Sequence, residues 1–187
     1  MLELEHPVRT ERLLLRPIDA ARDVDAVHAY ASRDDVCHYI PWTPKTRDEV
    51  ASWLLRRETT TISEPGQGAS LAVTLAATGE LVGDVMFIWQ SEEHRTGEIG
   101  YVINPAHAGH GYATEAARAM LAMAFGHLGM RRVVARIDER NPASATVLRK
   151  LGLRQEAVLV ENEWFKGAWS TEVDFALLDR EWREQNR

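Results

Sequence analysis

Apolar residues along this chain change period several times, and each change marks an element. Leu13, Leu14 and Leu15 lie between Arg12 and Arg16 and stop at Pro17, which predicts a short strand. From Asp19 to Ala31 the spacing of Val24, Val27 and Ala31 predicts a helix; residues 46–57 repeat that pattern through Val50, Trp53 and Leu54. At Ala69 the period drops towards two. Leu71, Val73 and Leu75, a turn at Thr78-Gly79, and the run from Leu81 to Trp89 form a hairpin signature. A further strand from Glu98 to Ile103 stops at Asn104-Pro105.

The most regular helical pattern follows, from Ala113 to about Leu128, with Ala113, Ala116, Ala117, Met120, Leu121, Ala124 and Leu128 on one side. After Gly129, the β-branched run from Arg132 to Asp138 predicts a strand. Asn141-Pro142 then opens a helix, with Asn141 placed to cap it and Gly152 to close it. Residues 157–163, a turn at Lys166-Gly167 and residues 171–178 form a closing hairpin. The predicted order is strand, two helices, three strands, helix, strand, helix, two strands: an α/β chain with a mixed sheet and helices on its faces. The only linker-like stretch, Ser63 to Gly68, is too short to separate two cores, so residues 1–187 read as one domain.

Composition narrows the class. With 187 residues, 45% of them hydrophobic and 27% charged, the chain can bury a core and is neither disordered nor fibrous. Its net charge of −6 has the wrong sign for sequence-independent nucleic-acid binding and favours a cationic partner. A single cysteine, Cys37, excludes an internal disulfide and a cysteine-based metal knuckle. Residues 1–6 carry two glutamates and no basic segment, and Arg118 interrupts the most apolar helix, so neither a signal peptide nor a membrane span is expected and the expected location is cytoplasmic.

Candidate chemistry concentrates in the segment from Asn104 to Glu115, where a strand ends, a loop carries Gly109 and Gly111, and the long helix begins. Two glycines let backbone N–H groups converge beside the unpaired N–H groups of a first helical turn, the geometry of an anion cradle. A turn needing glycine only for positive φ fits the same letters. A nucleotide P-loop would carry Lys-Ser/Thr after its last glycine, whereas Tyr112-Ala113 follows Gly111; a dinucleotide fingerprint would have Gly or Ala where Thr114 stands. What remains is a cradle suited to a pyrophosphate held by backbone amides.

The run from Ala108 to Ala116 (Ala-Gly-His-Gly-Tyr-Ala-Thr-Glu-Ala) resembles the acetyl-CoA-binding motif Gln/Arg-x-x-Gly-x-Gly/Ala of the GCN5-related N-acetyltransferases. Gly111 and Ala113 match; Ala108 stands at the Gln/Arg position and brings no side chain to the pyrophosphate. The resemblance extends over nearly the whole chain and is nearest to the RimJ/RimL-type ribosomal-protein N-terminal acetyltransferases. It rests on Thr10-Glu-Arg-Leu-Leu-Leu-Arg16, Thr78-Gly-Glu-Leu-Val-Gly-Asp84, Glu98-Ile-Gly-Tyr101, Asn141-Pro-Ala-Ser144, Lys150-Leu-Gly-Leu153, Lys166-Gly-Ala-Trp169 and Phe175-Ala-Leu-Leu178. Thr171 departs from an Asp common in that group.

The resemblance implies a single-domain fold with a central twisted mixed sheet. It also implies direct transfer of acetyl from acetyl-CoA to a primary amine in a ternary complex, without a metal. Backbone groups of Val102 and Ile103 would bind the pantetheine arm. Ala108, Gly109, His110, Gly111, Tyr112, Ala113 and Thr114 would hold the pyrophosphate, Asn141 would contact the cofactor, and Ser144 would give a proton to the leaving thiolate. Glu163 and Glu98 are the candidates for the base, with Asp84 a third and an ordered water a fourth. A protein or peptide N-terminus is the expected acceptor; a polyamine, an amino acid or an aminoglycoside is the alternative, and a non-catalytic acyl-CoA-binding module is the rival from another class. The family also leaves room for a homodimer built on a sheet edge near the closing hairpin.

His94, His107 and His110 have no carboxylate at ligand spacing and read as exposed loop histidines, with His110 adding partial positive charge beside the phosphates. Cys37 reads as a plain thiol. Trp42, Trp89 and Trp164 are expected to face the acceptor, Trp53 and Trp169 to pack in the core.

Overall fold

The computed structural model describes residues 1–187. Ten strands and six helices follow in the order β1 (Leu2–Glu3), β2 (Val8–Arg9), β3 (Leu13–Pro17), α1 (Ala20–Ala31), α2 (Asp34–Cys37), α3 (Arg47–Leu55), β4 (Thr61–Ile62), β5 (Gly68–Leu75), β6 (Leu81–Ser91), β7 (Thr96–Ile103), α4 (Tyr112–Ala122), β8 (Arg132–Asp138), α5 (Pro142–Lys150), β9 (Arg154–Phe165), β10 (Ala168–Leu178) and α6 (Asp179–Gln185). β1 and β4 form a small ribbon, and the other eight strands form one sheet in the order β2-β3-β5-β6-β7-β8-β10-β9. Every neighbouring pair in that sheet is antiparallel except β7 and β8.

Helices cover both faces, which is why β5 reads as a continuous buried run rather than an alternation. On one face Leu71, Val73, Val85, Phe87 and Ile99 pack against Ala116, Ala117, Met120 and Leu121 of α4 and Leu148 of α5. On the other, Ala72 and Leu81 meet Val24, Val27 and Tyr30 of α1 and Val50 and Leu54 of α3. Asp19 caps α1 by accepting from the Arg22 N–H, and Thr46 with Glu49 forms a capping box on α3, so both helices start where their capping residues stand.

Several elements differ from the sequence expectation. The helix after Gly111 keeps α geometry only to Ala122 and finishes as a π-helical turn, Met123–His127, with Leu128 donating to the Met123 carbonyl at 2.9 Å. Gly126 lies inside that turn and Gly129, at φ +67°, ends it. β9 and β10 are longer than expected and shift register between Ser170 and Glu172, opposite Glu161 at φ +49°. Their connection is the expected two-residue turn, with Lys166 and Gly167 both at positive φ. β1, β2, β4, α2 and α6 were not expected: they are too short or too polar to show a period. No helix is long and apolar enough to cross a membrane.

Candidate active site

β7 and β8 pair over only three positions, Thr96 with Arg132, Gly97 with Val133 and Glu98 with Val134. Beyond Glu98, β7 stays bonded to β6 as far as Ile103, while β8 stays bonded to β10. The two central strands therefore diverge, and from Ile99 the edge of β7 that faces β8 has no strand partner. A cleft of about 530 Å³ lies in this fork, among Tyr101, Val102, Arg136, Asp138, Asn141 and Ser144, with Trp42, Trp53, Glu98, Glu163 and Glu172 on its other walls.

The fork's far end runs into the glycine loop. Gly109 and Gly111 sit at φ +80° and +81°, conformations a side chain would strain. A Cβ on Gly109 would meet nothing, and one on Gly111 would meet only the Arg12 Nη2, at 3.5 Å. None of the backbone N–H groups of residues 109–114 has an acceptor in the protein: the first bond of α4 is donated by Glu115 to the Gly111 carbonyl. Six unpaired amides at the start of a helix suit a pyrophosphate, whose oxygens accept from several donors at once. The rings of His110 and Tyr112 stack at 5.5 Å over this loop.

α5 starts differently. Asn141 accepts from the Ser144 N–H at 3.0 Å and Pro142 occupies the first turn. This presents the Ser144 hydroxyl to the cleft, where it lies 2.9 Å from the Tyr101 hydroxyl. Burial pushes the Tyr101 phenol up to about 12, so it stays protonated and hydrogen-bonded to Ser144. Asp138 fixes the preceding turn: its carboxylate takes the Arg140 backbone and guanidinium and the Ser170 hydroxyl, and its carbonyl accepts from Asn141 N–H at 2.9 Å. The Arg140 contacts hold the Asp138 carboxyl down at about 2.

The carboxylates divide into engaged and free. Asp84 is buried and fully engaged: Tyr30 donates to one oxygen at 2.8 Å and Arg57, which also stacks on Trp53, to the other at 2.6 Å. These bonds join α1, the segment after α3 and β6, and leave neither Asp84 oxygen without a partner. Glu98 is held by Arg136 and by Gln90 at 2.8 Å; burial raises its carboxyl above the usual range against the Arg136 charge. Glu163, on β9, lines the cleft and has no hydrogen-bond or ion-pair partner. Glu172, which sequence reasoning missed, sits beside it on β10; burial, then Asp174, raise its carboxyl. The missed signal was a cross-strand row, since Glu172 is opposite Asp138 and Asp174 opposite Arg136.

The tryptophans redistribute. Trp42 lines the cleft as expected, and Trp53, expected in the core, lines it too. Trp89 is 4% exposed in the main core, because it continues the Val85, Phe87 alternation. Trp169 is 56% exposed and pairs edge-on with Trp164 outside the cleft, at the tip of the edge hairpin. Cys37 is buried; its carbonyl and that of Trp42 accept from Lys166 Nζ at the hairpin turn, which roofs the cleft.

Comparison with known proteins agrees with this geometry. Residues 12–154 match the Acetyltransferase (GNAT) domain. The chain is 31% identical to the uncharacterized N-acetyltransferase YnaD of Bacillus subtilis over 176 residues, 94% of this chain and 98% of that protein. A GNAT-family acetyltransferase from Bacillus anthracis superposes with a TM-score of 0.84 at 32% identity, covering 93% of this chain and 99% of that one. The spermidine N-acetyltransferase of Vibrio cholerae, solved with CoA and spermine, shares the fold at 20% identity and a TM-score of 0.78, over 93% and 99% of the two chains. A forked parallel pair feeding an uncapped helix is thus found in a chain that belongs to the GNAT family of acetyltransferases.

Proposed function

We propose that this chain transfers acetyl from acetyl-CoA directly to a primary amine, with thioester and amine held together in the fork. One juxtaposition carries this reading: six amides without acceptors begin just past the free edge of β7, and the Ser144 hydroxyl stands inside the same cleft. Acetyl-CoA supplies an activated acyl group and a thiolate leaving group. The N–H groups of residues 109–114 hold its pyrophosphate, with Ala108 opening the loop and His110 and Tyr112 flanking it. Backbone groups of Val102 and Ile103, on the free edge, take the pantetheine arm and polarise the thioester carbonyl. Asn141, whose side-chain oxygen caps α5, has its amide nitrogen left for the cofactor.

Ser144, oriented by Tyr101, passes a proton to the departing sulfur and regains one from the nitrogen of the newly formed amide. Glu163 accepts the proton of the incoming ammonium, being the cleft carboxylate with no partner to release first. Glu98, clamped by Arg136, shapes the field of the cleft instead.

The acceptor proposed is the α-amine of a protein or peptide N-terminus, which follows from the RimJ/RimL resemblance. A polyamine is the second reading, favoured by a specific feature: Glu98, Glu163, Glu172 and Asp138 outnumber the arginines of the same walls, Arg57 and Arg136. A panel of short peptides with free N-termini, polyamines, amino acids and aminoglycosides, read as release of free CoA thiol, separates these acceptors. Saturable acetyl-CoA binding with no thiol release for any amine would overturn the enzymatic reading and leave a binding module.

A further inference from the structure

The glycine loop is held from across the molecule. Arg12, at the mouth of β3, donates from Nη1 to the His110 carbonyl at 2.8 Å, and from Nε and Nη2 to Glu115 in the first turn of α4, both at 2.7 Å. Its guanidinium lies 5.0 Å above the Tyr112 ring. The other Glu115 oxygen accepts from the Arg12 backbone N–H at 2.8 Å and from the Thr10 hydroxyl at 2.6 Å. Burial opposes ionisation of Glu115, but these donors outweigh it and keep the carboxyl below its usual range. Residues a hundred positions apart thus form one closed cluster.

Its consequence follows from peptide geometry. The His110 carbonyl and the Gly111 N–H belong to one planar trans unit and point in opposite directions. Drawing that carbonyl towards Arg12 therefore aims the Gly111 N–H away from Arg12, to the side where the other free amides point. Gly111, in the left-handed region and without a Cβ, offers little resistance to a flip of this unit, and a flipped unit would present a carbonyl oxygen to an anion. Ala108 supplies no side chain that could hold the loop in its place.

We propose that Arg12, tied to Glu115 and Thr10, is the positioning residue of the pyrophosphate loop, fixing the His110–Gly111 peptide in its anion-receptive orientation. The inference rests on the reading of residues 109–114 as the pyrophosphate site. Its test compares two acetyl donors, acetyl-CoA and the acetyl thioester of pantetheine, which lacks the pyrophosphate. In Arg12→Gln, KM for acetyl-CoA should rise about tenfold with kcat at saturation held within about twofold, while KM for the pantetheine thioester stays put. Arg12→Lys, which can reach the carbonyl or Glu115 but not both, should fall between and serves if the Gln variant does not fold. An unchanged KM for acetyl-CoA, or equal losses with both donors, overturns the proposal. If the unaltered protein shows no preference for acetyl-CoA over the pantetheine thioester, the pyrophosphate reading itself fails and takes this inference with it.

Discussion

The starts of α4 and α5 face the same cleft and are built in opposite ways. α5 leaves only one donor of its first turn, the Ala143 N–H, without an acceptor: Asn141 accepts from Ser144 N–H, Pro142 has no N–H to satisfy, and Asp138 braces the approach. α4 has no side-chain cap; Gly111 enters it left-handed and the amides around it are left for something other than protein. A capped start spends its donors on holding one side chain still, and an uncapped start keeps them for a ligand. The first suits a group that must move a proton at a defined point, the second a group that must grip a charge.

That division can be broken by substitution. Ser144→Ala should cost about a hundredfold or more in kcat, as loss of a positioned proton donor does, and change KM for acetyl-CoA little; an unchanged kcat would show that the capped start does no chemistry. Gly111→Asp sets a carboxylate among the free amides on strained backbone and should weaken acetyl-CoA binding by about thirtyfold or more, measured by calorimetry. Glu163→Gln should lower kcat/KM about tenfold, and an unchanged value would show that the base is not this carboxylate, which lies on neither helix. Asn141→Ala removes the cap and should cost about 1 kcal/mol in chemical denaturation, with a smaller effect on affinity than Gly111→Asp.

The last effect concerns the brace and is confined to acid pH. The Asp138 carboxyl is lowered from 3.8 to about 2 by Arg140. The folded state therefore binds this proton less readily than the unfolded chain, so the stability Asp138 adds is complete above pH 3.8 and is lost as pH falls towards 2. Asp138→Asn should reduce the dependence of unfolding free energy on pH in that window and leave neutral-pH cofactor binding intact.

Local chemistry made one part of this site readable from the letters. The left-handed turns at Gly109 and Gly111 and the Asn141-Pro142 start of α5 depend on residues a few places away, and so do the strand and helix periods of residues 69–103 and 113–150. What stayed hidden depends on non-local register. Glu172 reaches the cleft because β10 pairs with β8, Glu98 meets Arg136 because two strands fork where they do, and Arg12 meets Glu115 through the packing of β3 beside α4. Asp84, a candidate base by sequence, is engaged by Tyr30 and Arg57, which belong to other elements. Trp89 was legible after all, since it shares the period of Val85 and Phe87; Trp169 was not, because no period tells an edge hairpin from a central one.

The single parallel pair also divides the sheet mechanically. On one side lie β2, β3, β5, β6 and β7, on the other β8, β10 and β9, each an antiparallel block complete in itself. Within the sheet the blocks are stitched by three residue pairs, at Thr96, Gly97 and Glu98. At the opposite rim Lys166, on the second block, is fastened to the carbonyls of Cys37 and Trp42, in the segment between α1 and α3. The fork is thus tied at both ends, by the strand pairs of residues 96–98 at one and by the Lys166 ammonium at the other, so the width of the cleft between them is set by contacts outside its own walls.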